Sequence, residues 1–516
     1  MATQLVWLKR DLRIRDHEAL AQAAARGPVI VLYVYEPSLW QTPEMDGSHL
    51  RFINECLREV AGELSRRGAT LVTRVGEMPQ VLDAVMREQP FESLWSHQET
   101  GNRLTYDRDL RVAAWCREHA VEWHEPMQHG VFRPLAKRDG WARKWKRQME
   151  KPLAAMPQGF DGIALESDGW VDEERLGIER STKTEVQPGG TVEGMALLDS
   201  FLEQRGVNYR ADMSSPVQGW NGCSRLSPHL AWGSVSIREA YQKTKERESA
   251  LKAAKADGAE QDERWLPSIS SFFSRLSWHC HFMQKLEDEP AIEFENMSRV
   301  YDGLRDDFDE ARFSAWCAGE TGYPMVDACM RCLHETGWVN FRMRAMLVSF
   351  SSYHLWLHWR RPAVFLARHF LDFEPGIHFS QFQMQSGVTG INTVRVYSPA
   401  KQVKDQDPKG EFIRRWVPEL AQIPDRYLAE PHTTPELLQR TSGCVIGRDY
   451  PEPIVDHRTA YREARERIFE VRKRDEAKED AARVYQKHGS RKRPRPRGGS
   501  TRAGKRAANG GKKTIP

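Results

Sequence analysis

Two hydrophobic periodicities divide the chain. Up to about residue 130, short apolar runs alternate with stretches whose apolar residues recur at helical spacing. The runs at 5–8 and 29–35 lack polar alternation, which is the pattern of strands buried on both faces. Between them, 19–25 predicts a helix. Further along, 48–67 predicts a helix with Ser48 as N-cap, 70–75 a strand, and 79–87 a helix with proline in its first turn. Residues 92–96 predict a strand, 103–119 a helix and 121–124 a strand. This alternation predicts a doubly wound parallel sheet. No G-x-G-x-x-G follows the first strand, so the dinucleotide fingerprint is missing.

Beyond 131 the periodicity weakens, and 131–195 reads as a connector with one or two short helices. From 196 to 470 strand patterns fade. Amphipathic segments, densest between Trp265 and Trp359, predict an all-α domain. The expected organisation is an α/β domain over 1–130, the connector, and a helical domain over 196–470. A charged helix end and disordered basic tail follow over 471–516.

Composition adds limits. A length of 516 residues suits two or three domains. The absence of an apolar run of about 18 residues predicts no membrane-spanning helix. The first residues lack a secretory apolar core, and the eight cysteines sit mostly singly. A reducing, cytoplasmic setting and a monomer are expected. The net charge of +4 is uneven: 487–516 holds eleven Lys or Arg and no Asp or Glu, which leaves −7 for the rest. That tail reads as a nucleic-acid arm or as a solubilising extension. Seventeen tryptophans exceed ordinary use and suit core packing, ring stacking or electron movement.

Three segments carry candidate chemistry. In VWLKRDLRIRDHEAL (6–20), Lys9, Arg10, Asp11 and Arg13 follow the first strand, at the sheet end where α/β proteins bind ligands. Surface ion pairs on a solvated turn are the competing reading. In GCSRLSPHLAWGSVS (222–236), Ser224 and Ser227 are candidate caps and Pro228 suits a first turn. With Arg225 this helix start predicts an anion site, or an ordinary capped helix. In 319–344, Asp327 and Arg331 are spaced to pair, and Arg342 and Arg344 follow Trp338. Asp372 and Glu374 come next. Such pairs beside aromatic walls suit a polar cofactor or a structural salt-bridge network. Cys329 and Cys332 have no second ligand pair, so they read as core residues and no metal site is expected.

Together these segments resemble the DNA photolyase and cryptochrome superfamily. The first is similar to its opening V-W-F-R-x-D-L-R-x-x-D-x-x-A-L, and CSRLSPHLAWGSVS to its flavin phosphate segment T-S-R-L-S-P-x-L-x-x-G. GETGYPMVDACMRCLHETGW resembles G-x-T-G-x-P-x-V-D-A-x-M-R-x-L-x-x-T-G-W, and GEFIRRWVPEL resembles G-x-F-I-R-x-W-x-P-E-L. The likeness runs from about residue 5 to 430. It implies FAD folded within the helical domain and, in many members, a second antenna chromophore of folate or deazaflavin type. By motif, Tyr209, Ser224, Arg225, Leu226 and Ser227 would touch flavin phosphates or ribityl. Arg344 and Asp372 match the pair beside the isoalloxazine, Glu374 replaces a second Asp, and Trp278 lines the substrate cavity. Repair members use excited reduced flavin to donate an electron to a pyrimidine dimer flipped out of damaged DNA, acting as carbon–carbon lyases.

The departures are specific. Arg275 stands where cyclobutane-dimer repair enzymes carry Glu, and Val339-Asn340-Phe341-Arg342 replaces M-H-N-R. His378 replaces the Asn facing flavin N5. Phe382 replaces the first Trp of the reduction relay, while Trp359 keeps the second. The expected catalytic set is therefore Trp278, Arg275, Asn340, His378 and Trp359. In it, His378 tunes the flavin, and electrons pass through Trp359 by way of Tyr353 or Trp356. Light-driven repair is the first expected function, and a photoreceptor without repair the alternative.

Overall fold

A computed structural model describes residues 2–135, 137–258, 260 and 262–490; the reading of 491–516 as a disordered tail lies outside the described residues. Five strands, β1 (Gln4–Leu8), β2 (Val29–Tyr35), β3 (Leu71–Val75), β4 (Ser93–Trp95) and β5 (Glu122–His124), pair in the order β3-β2-β1-β4-β5. Every pairing is parallel, as the periodicity predicts. Helices α1 (Glu18–Arg26), α2 (Gly47–Ser65), α3 (Met78–Glu88) and α4 (Arg103–Glu118) lie between the strands in sequence. Alternate residues of each central strand face opposite sides. Leu5, Trp7, Ile30 and Leu32 pack with Met78, Leu82 and Trp115 on one face. Val6, Leu8, Val31 and Tyr33 pack with Leu20, Phe52 and Leu57 on the other.

One cap differs from expectation. Asp46, not Ser48, caps α2: its Oδ1 accepts from the Ser48 amide at 2.9 Å and from the Ser48 hydroxyl at 2.5 Å. The carboxylate also takes Lys183 Nζ at 2.8 Å, so it satisfies more donors than a serine could.

Short helices Trp141–Met149 and Glu173–Leu176 interrupt the segment after β5, and no strand follows β5 among the described residues. The helices that build the rest include α5 (Ser227–Ala231), α6 (Trp265–Asp288), α7 (Pro324–Thr336), α8 (Phe341–Ser349) and α9 (Pro375–Ser386). They end with α10 (His457–Lys473) and α11 (Asp475–His488). The sequence predicts a charged helix end leading into the tail; the helix runs to His488, and Ala477 and Val484 are buried, so it is docked. Seven residues separate them, two turns along one face.

The two halves meet at the turn of Trp232 and Gly233. The Leu12 amide donates to Trp232 O at 3.2 Å, and Arg13 Nη1 donates to Gly233 O at 2.8 Å. Gly233 has φ +72, and a Cβ there would lie 2.1 Å from Arg10 O. Only glycine allows this approach.

Candidate functional site

In the helical half one arginine and carboxylate pair anchors the candidate site. Arg344, one turn into α8, donates from Nη1 and Nη2 to the two oxygens of Asp372 at 2.8 and 2.9 Å. Its Nε donates to Val339 O at 2.8 Å, and its guanidinium lies 4.1 Å from the Phe370 ring centre. Burial pushes the Asp372 pKa up, but Arg344 and the Ser227 hydroxyl outweigh it and hold the carboxyl below its ordinary range. Ser227, Arg344 and Asp372 are thus brought together. Glu374 instead turns to the α/β half, with Oε1 3.7 Å from Arg10 Nη1. Burial pushes its carboxyl up to about 7, with Arg10 opposing.

Arg225 is the least compensated of these groups. Its backbone is left-handed (φ +61), and its guanidinium sits between the rings of Trp220 and Trp338, 4.3 and 4.1 Å from their centres. Burial draws its pKa down to about 10, and among the described residues it has no ion pair and its Nε has no partner. The Asn340 side-chain oxygen and Arg342 Nε are likewise buried without partners, while Asn340 Nδ2 donates to Met213 O at 3.1 Å. Neither serine caps α5 as expected. Leu226 occupies the N-cap, Ser224 Oγ accepts from the Leu226 amide at 3.4 Å, and the helix has only five residues. Tyr209 packs edge-on against Phe201 and Phe272.

Arg275 and Trp278 lie on the same face of α6. The Arg275 guanidinium is 4.9 Å from the Trp278 ring centre and 5.4 Å from that of Phe341, which is 41% exposed. Its Nη2 approaches Met213 Sδ at 3.5 Å. His378 is buried, with Nε2 2.7 Å from Ala363 O. Burial lowers its pKa to about 4, so the ring is neutral near pH 7 and donates that N–H to the carbonyl. Trp359 is fully buried and donates to Asn296 Oδ1 at 2.8 Å. Phe382 lies 4.8 Å from the His378 ring. The Tyr353 hydroxyl is buried without a partner. Trp356 (φ +57) is held by Arg305 and Arg467 at 4.5 and 4.8 Å, and two cations oppose leaving positive charge on that ring.

The expected pairing of Asp327 with Arg331 does not form. Asp327 accepts from Thr321, the Gly322 amide and Tyr450, whereas Arg331 pairs with Glu419 at 2.7 Å. The carboxylate binds the chain entering α7, where amides are free, rather than the solvent-side arginine. Cys329 and Cys332 are buried, and burial raises both thiol pKa values.

A second cavity, about 100 Å³, opens beyond the carboxyl ends of β1 and β2. Trp7, Tyr33, Trp40, Trp232 and Phe373 supply aromatic walls. Arg10 stacks 4.2 Å above Trp232 and donates to Phe373 O at 2.6 Å. Lys9 and Arg108 meet Glu36, Glu99 and Asp109, and burial pushes Glu36 up to about 7. Arg10 Nε and Glu36 Oε2 lack partners. Lys9 and Arg10 therefore sit at the predicted crevice. Trp220 and Glu36 were missed because no local spacing connects them to their partners.

Asp11, His17 and His97 bring three ligand-type atoms within 4.8 Å of one another. His17 Nδ1 accepts from the Leu20 amide at 3.1 Å, so its proton rests on Nε2, 3.1 Å from Asp11 Oδ2. A metal would need that nitrogen bare. The trio is a carboxylate held by two imidazoles.

The chain is similar to known proteins along most of its length. Residues 4–155 match the family model described as DNA photolyase, and residues 272–470 match the FAD binding domain of DNA photolyase. A deoxyribodipyrimidine photo-lyase of Synechococcus is 27% identical over 476 residues, covering 88% of this chain and 93% of its own. A cryptochrome DASH of Gloeobacter violaceus is 28% identical over 486 residues, with the same coverages of 88% and 93%. In fold, an archaeal photolyase from Sulfolobus tokodaii, solved with two FAD molecules, aligns with a TM-score of 0.73 at 24% identity. That alignment covers 91% of this chain and all of the other.

Proposed function

The chain belongs to the DNA photolyase and cryptochrome superfamily, and from that premise we propose that it is an FAD-dependent, blue-light-driven lyase acting on UV pyrimidine lesions in DNA. The observation that carries this is Arg225: its guanidinium lies between the rings of Trp220 and Trp338 with Nε unpartnered among the described residues, near the Arg344 and Asp372 pair. A largely enclosed cation without an acid of its own calls for an anionic partner. The unpaired Arg225 Nε fits the phosphates of a flavin nucleotide.

Bound there, the flavin would supply the light-driven electron. Ser224, Arg225, Leu226 and Ser227 would hold its phosphates or ribityl, with Tyr209 as packing support. Arg344 and Asp372 would fix its orientation, and neutral His378 would face it without adding charge. Trp278, Arg275 and Asn340 would receive the lesion, and Trp359 would pass electrons. The aromatic cavity beyond β1 and β2 is read as a second chromophore site. At about 100 Å³ it is below the few hundred a cofactor needs, so Arg10 must leave Trp232 for one to enter.

The partner is damaged DNA, with 487–516 as a phosphate-binding arm of a cytoplasmic monomer. No helix among the described residues is long and apolar enough to cross a membrane. The division into 1–130, 131–195 and 196–470 belongs to the same reading. Blue light is expected to remove lesions from UV-irradiated oligonucleotides only when yellow, flavin-loaded protein is present. Both major photoproducts are assayed, in light and in darkness. One observation favours a second reading, a cryptochrome-type photoreceptor without repair: Arg275 puts a cation where repair members carry an acid. Flavin that bleaches in blue light while both lesions persist would establish that alternative.

A further inference from the structure

The family models end at residue 470, yet the chain continues into a docked helix, α11. Its last turn is fastened to a single carboxylate. Glu289, at the end of α6, receives His488 Nε2 at 2.5 Å, Lys487 Nζ at 3.2 Å and Arg483 Nη1 at 4.0 Å. Burial pushes the Glu289 carboxyl up, but the hydrogen bond from His488 and the Lys487 ammonium outweigh it and hold the carboxyl below its ordinary range, while burial lowers the His488 pKa itself. Two more contacts steady the helix: Ser298 Oγ donates to Asp480 Oδ2 at 2.7 Å, and Arg483 Nη2 donates to Met297 O at 2.8 Å. Val484 is fully buried beneath it.

This fastening stands directly before the most basic run of the sequence. Five of the seven residues 491–497 are Lys or Arg. Glu289 and Trp278 are both reached along α6, eleven positions apart, or about 17 Å at 1.5 Å per residue.

We propose that α11 and the Glu289 clamp are a mooring that fixes the root of the basic arm beside the Trp278 face, so that the arm engages the phosphate backbone of nucleic acid already at that face. The inference rests on the reading of the arm as a nucleic-acid contact. Its logic is tether length. With α11 docked, three residues lead from His488 to Arg491; with α11 released, the tether begins after Lys473 and grows to about eighteen. Effective concentration falls as roughly the −3/2 power of tether length, so release weakens the arm's contribution on the order of tenfold without removing a single cation from it. A helix that merely covers core surface predicts no such loss.

The test uses the full chain, a chain ending at residue 490, and two release variants, Glu289→Gln combined with Asp480→Asn, and Val484→Asp. Amide hydrogen exchange over 475–488 reads the release. Binding to a fluorescein-labelled 20-nucleotide DNA, single-stranded and duplex in separate series from 50 to 200 mM salt, reads the arm. Faster exchange in α11 with affinity about tenfold weaker, and a salt slope between those of the full and shortened chains, is the expected result. Released α11 with unchanged affinity and slope overturns the mooring while leaving the arm intact. If the chain ending at 490 binds as the full chain does, the arm reading itself falls, and the mooring with it. If neither variant speeds exchange, the clamp does not hold the helix and the inference fails.

Discussion

The crevice of the α/β half and the candidate site of the helical half both combine arginines with aromatic rings, but their charges are balanced differently. In the crevice Lys9, Arg10 and Arg108 meet Glu36, Glu99, Asp109 and Glu374, and the acids outnumber the cations. In the helical half Arg344 takes up Asp372, and Arg225 is left without an acid among the described residues. A compensated cluster is complete without a ligand, whereas an uncompensated cation is completed by an anion. On the proposed reading, that cation is where a flavin nucleotide would bind.

The largest way to break this contrast is to unpair Asp372. Arg344→Ala leaves a buried carboxylate alone and is expected to cost about 3 to 5 kcal/mol, read as a lowered urea midpoint, together with loss of bound flavin. Next comes pH. Glu374 holds its proton in the folded protein to about 7, above its ordinary value of 4.5. The folded state therefore binds more protons between those pH values, and the group's stabilisation, complete below 4.5, is lost as pH rises through 7. The expected loss is about 3 kcal/mol between pH 4.5 and 8, and Glu374→Gln should flatten that part of the profile. Arg225→Gln sharpens the comparison from the ligand side. Flavin affinity is expected to fall about tenfold, roughly 1.4 kcal/mol, with a smaller change in apoprotein stability because no acid is left unpaired. The smallest effect belongs to Arg10→Ala. It should cost about 1 kcal/mol through lost stacking on Trp232 and leave flavin content unchanged by absorbance.

The sheet was legible because β1 and β2 are buried on both faces, so their apolar runs are unbroken. The Arg344 and Asp372 pair was legible only through the resemblance, since 28 residues separate partners that no periodicity links. Arg225 was visible as a residue but not as a cation between rings, because the second ring, Trp338, lies 113 positions away. Caps failed for two reasons: at Ser48 the neighbouring Asp46 met the amides better, and at Ser224 and Ser227 the helix has only five residues. Helix α11 was legible as a charged helix end, but its docking was not. Its buried stripe holds few apolar residues, and its partner Glu289 is nearly two hundred residues earlier.

The contact at Gly233 has a mechanical consequence. Because the Leu12 amide and the Arg13 side chain both bond the carbonyls of the turn at 232–233, the halves part there only by breaking those hydrogen bonds. Calorimetry should accordingly record one melting transition for the pair rather than two. A bulkier residue at 233 should split that single peak by prising the seam open.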